Sequence, residues 1–467
     1  MKNKLKKGLC ILLLFLMVLS ISTGVYARDN FAYAAGIQHN LDNLIPWVDD
    51  FDAYDDCYNA MVAYQNTGYN VAGHTNPSKE TLWTNLYATV QFFVGHGSPQ
   101  FITFEDTGIV LGKDMTSNIT VNGNTTFENV QLIGTESVHW DADTILVTYS
   151  CCEGAGTNGV IADRSLVRAT CEEGADVTVG FTNTVHPMYM DDWTDRYNQQ
   201  LGAGVGVYDA TRYANSFSYL LGNEKDNVVF AQIDPNLKIG KYGNSSKNSL
   251  NPRIETFNDI KESKANYIKI QDVTASNINL AKDKSMDERN LLSNNSQNLI
   301  ASTYNIDNAI KNVYNNFNKE NYIVEKHTSS AVNVNTNEVI DQSIYYDYKL
   351  KIGDFLTDAA FTVLVEDNKI EAIYDNNVDI EKQEELLKNS ANMKISVDDV
   401  TLSDIDNKAI KNIEEKYNDK VSITDKDYTY YYDIENDKKY IIGSYETELQ
   451  IDNNVATAID NYKYEIK

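Results

Sequence analysis

The 467-residue sequence predicts an α/β first half built on a central, mostly parallel sheet, and an α+β second half with antiparallel sheets. Three observations predict it. Before residue 240, short apolar runs alternate with segments of helical spacing, and the runs are apolar throughout, as a sheet covered on both faces requires. The composition then changes: residues 28–240 hold 19 glycines, all four tryptophans and nine Lys+Arg, whereas residues 241–467 hold three glycines and 27 Lys+Arg. Tyr-rich, β-prone runs separated by hairpin turns dominate the last third.

Lys2, Lys4, Lys6 and Lys7 precede an apolar run from Leu9 to Leu19, and Val25-Tyr26-Ala27 follows. That order describes a secretory signal peptide over residues 1–27, cut after Ala27. The run is shorter than the ~20 apolar residues of a transmembrane helix, so no membrane insertion is expected once the leader is gone. Losing four leader lysines takes the formal net charge from −27 to −31. A chain so acidic repels nucleic acid and anionic membrane surfaces, which are poor candidates as partners. The expected location is extracellular or at the cell surface.

Along residues 28–240 the pattern reads as a weak strand near Ala34 to Gln38, a helix at about Asp55 to Gln65, a strand at Tyr69 to Ala72 and a helix from Ser78 to Leu86. Strands follow at Thr89 to Val94 and Ile145 to Tyr149, then a helix from about Gly159 to Glu172, a strand at Val177 to Thr182 and a helix from Trp193 to Gln200. Residues 241–300 are rich in Asn, Ser and Lys and read as a linker. In residues 301–467, strands are expected at Ser343 to Ile352, Ala360 to Glu366, Tyr428 to Asp433 and Tyr440 to Leu449. FTVLVEDNKIEAIYDN and YETELQIDNNVATAIDN suggest an internal repeat of two sheet-plus-helix modules, at about 305–380 and 395–467, with helices at Asp307 to Phe317 and Asp404 to Tyr417.

Two strand ends carry the chemistry. Val90 to Val94 runs into Gly95-His96-Gly97-Ser98, and Ile145 to Tyr149 runs into Ser150-Cys151-Cys152-Glu153-Gly154. Parallel neighbours end on one edge, where open α/β folds bind ligands, so an imidazole and a thiol are expected to share a crevice. Peptide hydrolysis needs a sulfur nucleophile, a base for its proton and N–H donors for the oxyanion. Cys152, His96 and the N–H groups of Gly97 and Cys152 are the candidates, and the glycine beside His96 lets a scissile carbonyl approach the backbone. Taken singly, a buried histidine or cysteine is more often a packing residue.

The segments GYNVAGH, FFVGHGS, VTYSCCEG, VTVGFTNTV and DDWTDRYNQQLGAGVGVYDATRYA, spanning about residues 36–220, resemble the caspase-like sandwich of clan CD cysteine peptidases, the group of caspases, gingipains, clostripain and CHAT-domain proteins. The resemblance implies a secreted cysteine endopeptidase with Cys152 as nucleophile and His96 as acid and base, and a protein or peptide substrate is the partner expected with that reading. The doubled cysteine departs from the Ser-x-Cys-Glu pattern and keeps Cys151 as an alternative. The loop Thr182 to Asp192 is then expected to line the pocket for the residue before the cleaved bond. Asp191 or Asp192 there would select Arg or Lys by charge pairing, against the plainer reading in which Asp192 starts a helix.

Other landmarks read as structural. Cys57 and Cys171 are expected as buried free thiols, with a disulfide between them as the alternative. His74 and His139 read as packing residues. No metal signature is present; Asp404 to Lys408 lacks the glycine of a calcium loop, and calcium remains a candidate only through acidic clusters such as Asp49-Asp50 and Asp55-Asp56. No cofactor is expected. Two other classes compete with the enzyme: a catalytically inactive member of the same fold acting as a secreted binding or adhesion module, and a surface structural protein working through its Tyr-rich sheets.

Overall fold

The computed structural model describes residues 28–38, 53–121, 123–140, 143–156, 164–242, 266–268, 303–314, 316–375, 385, 387–388, 393, 399–417, 421–434, 436–451 and 454–466. The leader, Asp49-Asp50 and most of the expected linker lie outside these residues. In chain order the first half holds β1 (Arg28–Gly36), α1 (Tyr54–Asn66), β2 (Asn70–Thr75), α2 (Lys79–Asn85) and β3 (Ala88–Val94). Five short strands follow: β4 (His96–Ser98), β5 (Phe101–Thr103), β6 (Thr107–Val110), β7 (Met115–Val121) and β8 (Asn124–Gly134). Then come β9 (Leu146–Ser150), α3 (Leu166–Glu172), β10 (Val177–Phe181), α4 (Pro187–Gly202), α5 (Val207–Asn215), β11 (Asn227–Ala231) and β12 (Asn266–Ile268). The second half holds α6 (Thr303–Val313), β13 (Tyr322–Asn333), β14 (Glu338–Ile352), β15 (Phe355–Glu366), β16 (Lys369–Asp375), α7 (Asp399–Lys416), β17 (Asp425–Asp433), β18 (Lys438–Ile451) and β19 (Asn454–Ile466).

The central strands run β2-β1-β3-β9-β10 in parallel, with β11 antiparallel beside β10. All of β3, β9 and β10 is buried, and the faces separate by alternation. Val90, Phe92 and Val94 join a core with α1, α4 and α5, whereas Phe93, Val147 and Tyr149 join one with α2 and α3. Local signals start the helices: Ser78 accepts from the Thr81 N–H, Ser165 accepts from the Arg168 N–H, and Pro187 opens α4 with its preset φ. Helix α4 therefore begins six residues before the expected Trp193, and Asp192 lies inside it instead of capping it.

The expected weak strand at Ala34 to Gln38 is β1, which begins at Arg28 and lies between β2 and β3. Strands β4 to β8 and β11 have no counterpart in the sequence pattern: β4 to β6 have three or four residues each, and β7 and β8 are Thr/Asn-rich and partly exposed. In the second half, α6 precedes the antiparallel strands β13 to β16, and α7 precedes β17 to β19. Both residues of the Asp367-Asn368 turn take positive φ, the conformation that a two-residue hairpin favours.

The composition break near residue 240 does not interrupt the sheet. β11 pairs in parallel with β13, with Val229 opposite Ala331, and buried charges tie the same join. Lys225 reaches Asp347 at 2.5 Å, Lys349 reaches Glu325 at 2.6 Å and the Leu220 carbonyl at 2.9 Å, and Arg212 pairs with Glu366. His327 Nδ1 lies 3.0 Å from Asp226. Burial alone would lower the His327 pKa, but hydrogen bonds to Asp226 and Glu325 and the charge of Asp347 outweigh it and raise the group to about 9. Its folded pKa lies above the unfolded value, so its stabilisation is full below about pH 6.5 and is lost as pH rises through about 9. His327→Gln should therefore lower Tm by several degrees at pH 6 and by almost nothing at pH 9.5. Thermal melts of variant and parent at both pH values check this; an equal deficit at both would contradict it.

Candidate active site

β3 and β9 run side by side with Phe92 opposite Thr148 and Val94 opposite Ser150. Thr148 Oγ1 lies 3.1 Å from the Tyr197 hydroxyl of α4, and the Tyr149 hydroxyl lies 2.9 Å from Thr170 Oγ1 of α3. The alternation continues past the strand end. Cys151 falls in the α3 core, and Cys152 packs against the α4 core. Residues 96 and 152, each two positions beyond the Val94–Ser150 pair, leave the sheet at the same edge.

Cys151 fills a notch between two glycines. A Cβ on Gly97 would lie 2.5 Å from Cys151 Sγ and 3.2 Å from the Cys152 carbonyl oxygen, and one on Gly154 would lie 2.8 Å from the same sulfur. The close approach that requires glycine at 97 is thus to Cys151, and the His96 segment sits directly on the cysteine turn. Cys151 is fully buried, and burial above all pushes its thiol well above the ordinary range. Glu153 closes the turn at φ +54°, a left-handed conformation that costs a non-glycine residue about 1 kcal/mol.

Cys152 is only half-buried, and its Sγ lies 3.6 Å from the Val185 carbonyl oxygen. Burial raises its thiol to about 12; the bond to Val185 opposes the rise, and the Glu153 and Glu224 carboxylates reinforce it. His96 is 7% exposed. Burial first, then the Lys416 ammonium, hold its pKa well below 6.5, and its ring centroid lies 6.1 Å from that of Tyr417. These shifts favour a protonated thiol at Cys152 and a neutral imidazole at His96.

The structure separates the other candidates. Asp192 is exposed and pairs with Arg196 at 3.7 Å, one turn along α4. Asp191 sits half-buried on the same helix, with its carbonyl taking the Thr194 hydroxyl. Two carboxylates act on Cys152, the adjacent Glu153 and, from a distant part of the chain, Glu224, which the sequence pattern did not single out. Glu224 is buried; one oxygen accepts from the His186 N–H at 3.2 Å, and Oε2 has no hydrogen-bond partner among the described residues. Burial chiefly raises its pKa to about 8. Sequence offered one weak signal for it, a charged pair Glu224-Lys225 just before an apolar strand.

Cys57 and Cys171 are buried free thiols in cores on opposite faces of the sheet, so the disulfide alternative does not form. His74 lies against Tyr33 with ring centroids 5.8 Å apart, and His139 is exposed. Asp56 accepts the Thr194 hydroxyl at 2.5 Å. Among the described residues no group of three or more His, Cys, Asp or Glu is placed to hold a metal, and no helix is long and apolar enough to cross a membrane. The chain matches no protein-family model, and a search of curated proteins finds no match.

The notch makes a direct prediction. Gly97→Ala forces a methyl group into Cys151 and should cost about 1–3 kcal/mol as overpacking, and adding Cys151→Gly should return most of it. Denaturant unfolding of the single and double variants checks the pair; a single variant as stable as the parent would contradict the close approach.

Proposed function

We propose that this chain is a secreted cysteine endopeptidase of the caspase-like type, with Cys152 as nucleophile and His96 as acid and base. One observation carries the reading: the in-register β3–β9 pair, continued two residues on each side, sets His96 and Cys152 at one edge of a parallel sheet. The choice of Cys152 over Cys151 follows from alternation, since the first is half-buried at the α4 side and the second is locked between Gly97 and Gly154.

In the proposed reaction His96 takes the Cys152 proton as the sulfur attacks the peptide carbonyl, and the N–H groups of Gly97 and Cys152 stabilise the oxyanion. The C–N bond breaks, the departing amine takes the proton from His96, and an acyl thioester remains on Cys152. Water, deprotonated by His96, then cleaves the thioester to give a carboxylic acid and the free thiol. Preference for a basic residue before the cleaved bond rests on Glu224 in place of Asp191 or Asp192. A buried carboxyl with an unpartnered oxygen ionises when an ammonium or guanidinium approaches, and gains a charge-assisted hydrogen bond.

A second reading, a catalytically inactive binding module of the same fold, is favoured by the burial of His96 and the raised thiol. Hydrolysis of a fluorogenic peptide panel separates the two. The parent and Cys151→Ala should cleave at like basal rates; Cys152→Ala and His96→Ala should lose at least ~10³-fold in kcat/KM. Glu224→Gln should lose about 10- to 100-fold on Arg and Lys peptides while leaving neutral ones near the parent rate. Equal turnover by all variants, or none by the parent whether intact or clipped by limited proteolysis, would sink the proposal.

A further inference from the structure

The second half of the chain does not stand beside the site; its last module lies on it. Tyr417, at the end of α7, is fully buried with its ring against His96. Lys416, one residue earlier, is buried and paired with Asp460 of β19 at 2.6 Å. Asn461, next on β19, places its Oδ1 3.1 Å from His186 Nδ1, at the residue that caps α4 and leads away from the Val185 carbonyl bound by Cys152. Burial above all raises the Tyr417 phenol well above its ordinary range, and a Cys152 thiolate would add to the rise.

The hold is broad. β18 pairs antiparallel with β7, Leu449 opposite Val121 and Ile451 opposite Ile119. Phe101, Ile119, Val121, Val130 and Leu132 share one buried core with Ala409, Ile413, Tyr417, Tyr445 and Leu449. A peptide laid along the edge between His96 and Cys152 would meet this module.

We propose that the module formed by α7 and β17 to β19 is a built-in cover that keeps the peptidase latent until it is displaced. The proposal rests on the peptidase reading for the meaning of the covered groups, and on the geometry for the covering itself. The alternative, that Tyr417 and Lys416 complete the site as positioning residues, runs against the charges. A base that accepts the thiol proton becomes an imidazolium, and a neighbouring ammonium opposes that state, whereas a positioning partner would be a carboxylate or a carbonyl. Lys416 therefore works against catalysis, as expected of a cover.

The test uses the full chain in two forms: Tyr417→Ala, and a protein carrying an inserted recognition sequence for a site-specific protease between Asp375 and Asp399, before and after cutting. Carbamidomethylation of each cysteine by iodoacetamide is followed by mass spectrometry, beside hydrolysis of the peptide panel. Cys57, Cys151 and Cys171 are buried and report unfolding, so only a rise confined to Cys152 counts as uncovering. Uncovering should raise both Cys152 alkylation and hydrolysis about tenfold or more, since reactivity follows access and thiolate content. Faster alkylation with no hydrolysis keeps the cover and removes the peptidase. Unchanged Cys152 alkylation in both the variant and the cut protein overturns the cover, as does a loss of hydrolysis in Tyr417→Ala with alkylation unchanged.

Discussion

The parallel register of β3 against β9 is the constraint on which the site depends. Both strands are buried along their whole length between two helical layers, and pairing Val94 with Ser150 then decides which residues emerge together at the edge. A slip of one residue would exchange Cys151 and Cys152 between the two cores. In the register observed, Gly97 and Gly154 leave the notch that the sulfur of residue 151 fills. The doubled cysteine thus divides into one packing sulfur and one facing the α4 side.

The same alternation explains how much could be read from sequence. Long, uniformly apolar strands and helices opened by Ser78 or preceding a hairpin sheet were legible, and so were His96 and Cys152, because each follows such a strand directly. The five strands from His96 to Gly134 were not, since runs of three or four residues and Thr/Asn-rich ribbons lack a periodic signature. The start of α4 was misplaced because Asp192 looks like a cap, while Pro187 starts the helix. Glu224 was illegible for a different reason: its role comes from burial beside Cys152, a relation between residues 72 positions apart that no local pattern encodes. Across the composition break, β11 pairs with β13 and Lys225 pairs with Asp347 of β14, contacts between distant residues that composition does not encode.

Those cross-join charges have a physical cost that packing must offset. Lys225 and Asp347 are both nearly inaccessible to solvent, and a buried pair of this kind gains little net stability but penalises any arrangement that separates its members. The pairs therefore fix where the first antiparallel module sits against the central sheet. The second module is held differently, through a shared apolar core and one short antiparallel pairing with β7. One module is locked to the central sheet by specific charges, and the other is held over the His96–Cys152 edge mainly by hydrophobic burial, which is non-directional.

In the account as a whole, the reactive groups are assembled at one edge and kept neutral by burial. The most direct measurement is the pH dependence of Cys152 alkylation in the intact parent chain, read residue by residue. The account predicts a slow rate that climbs only well above pH 9, in line with a thiol raised to about 12. A half-maximal rate at or below pH 8 would mean an accessible, activated thiolate in the intact chain and would contradict the covered, neutral site.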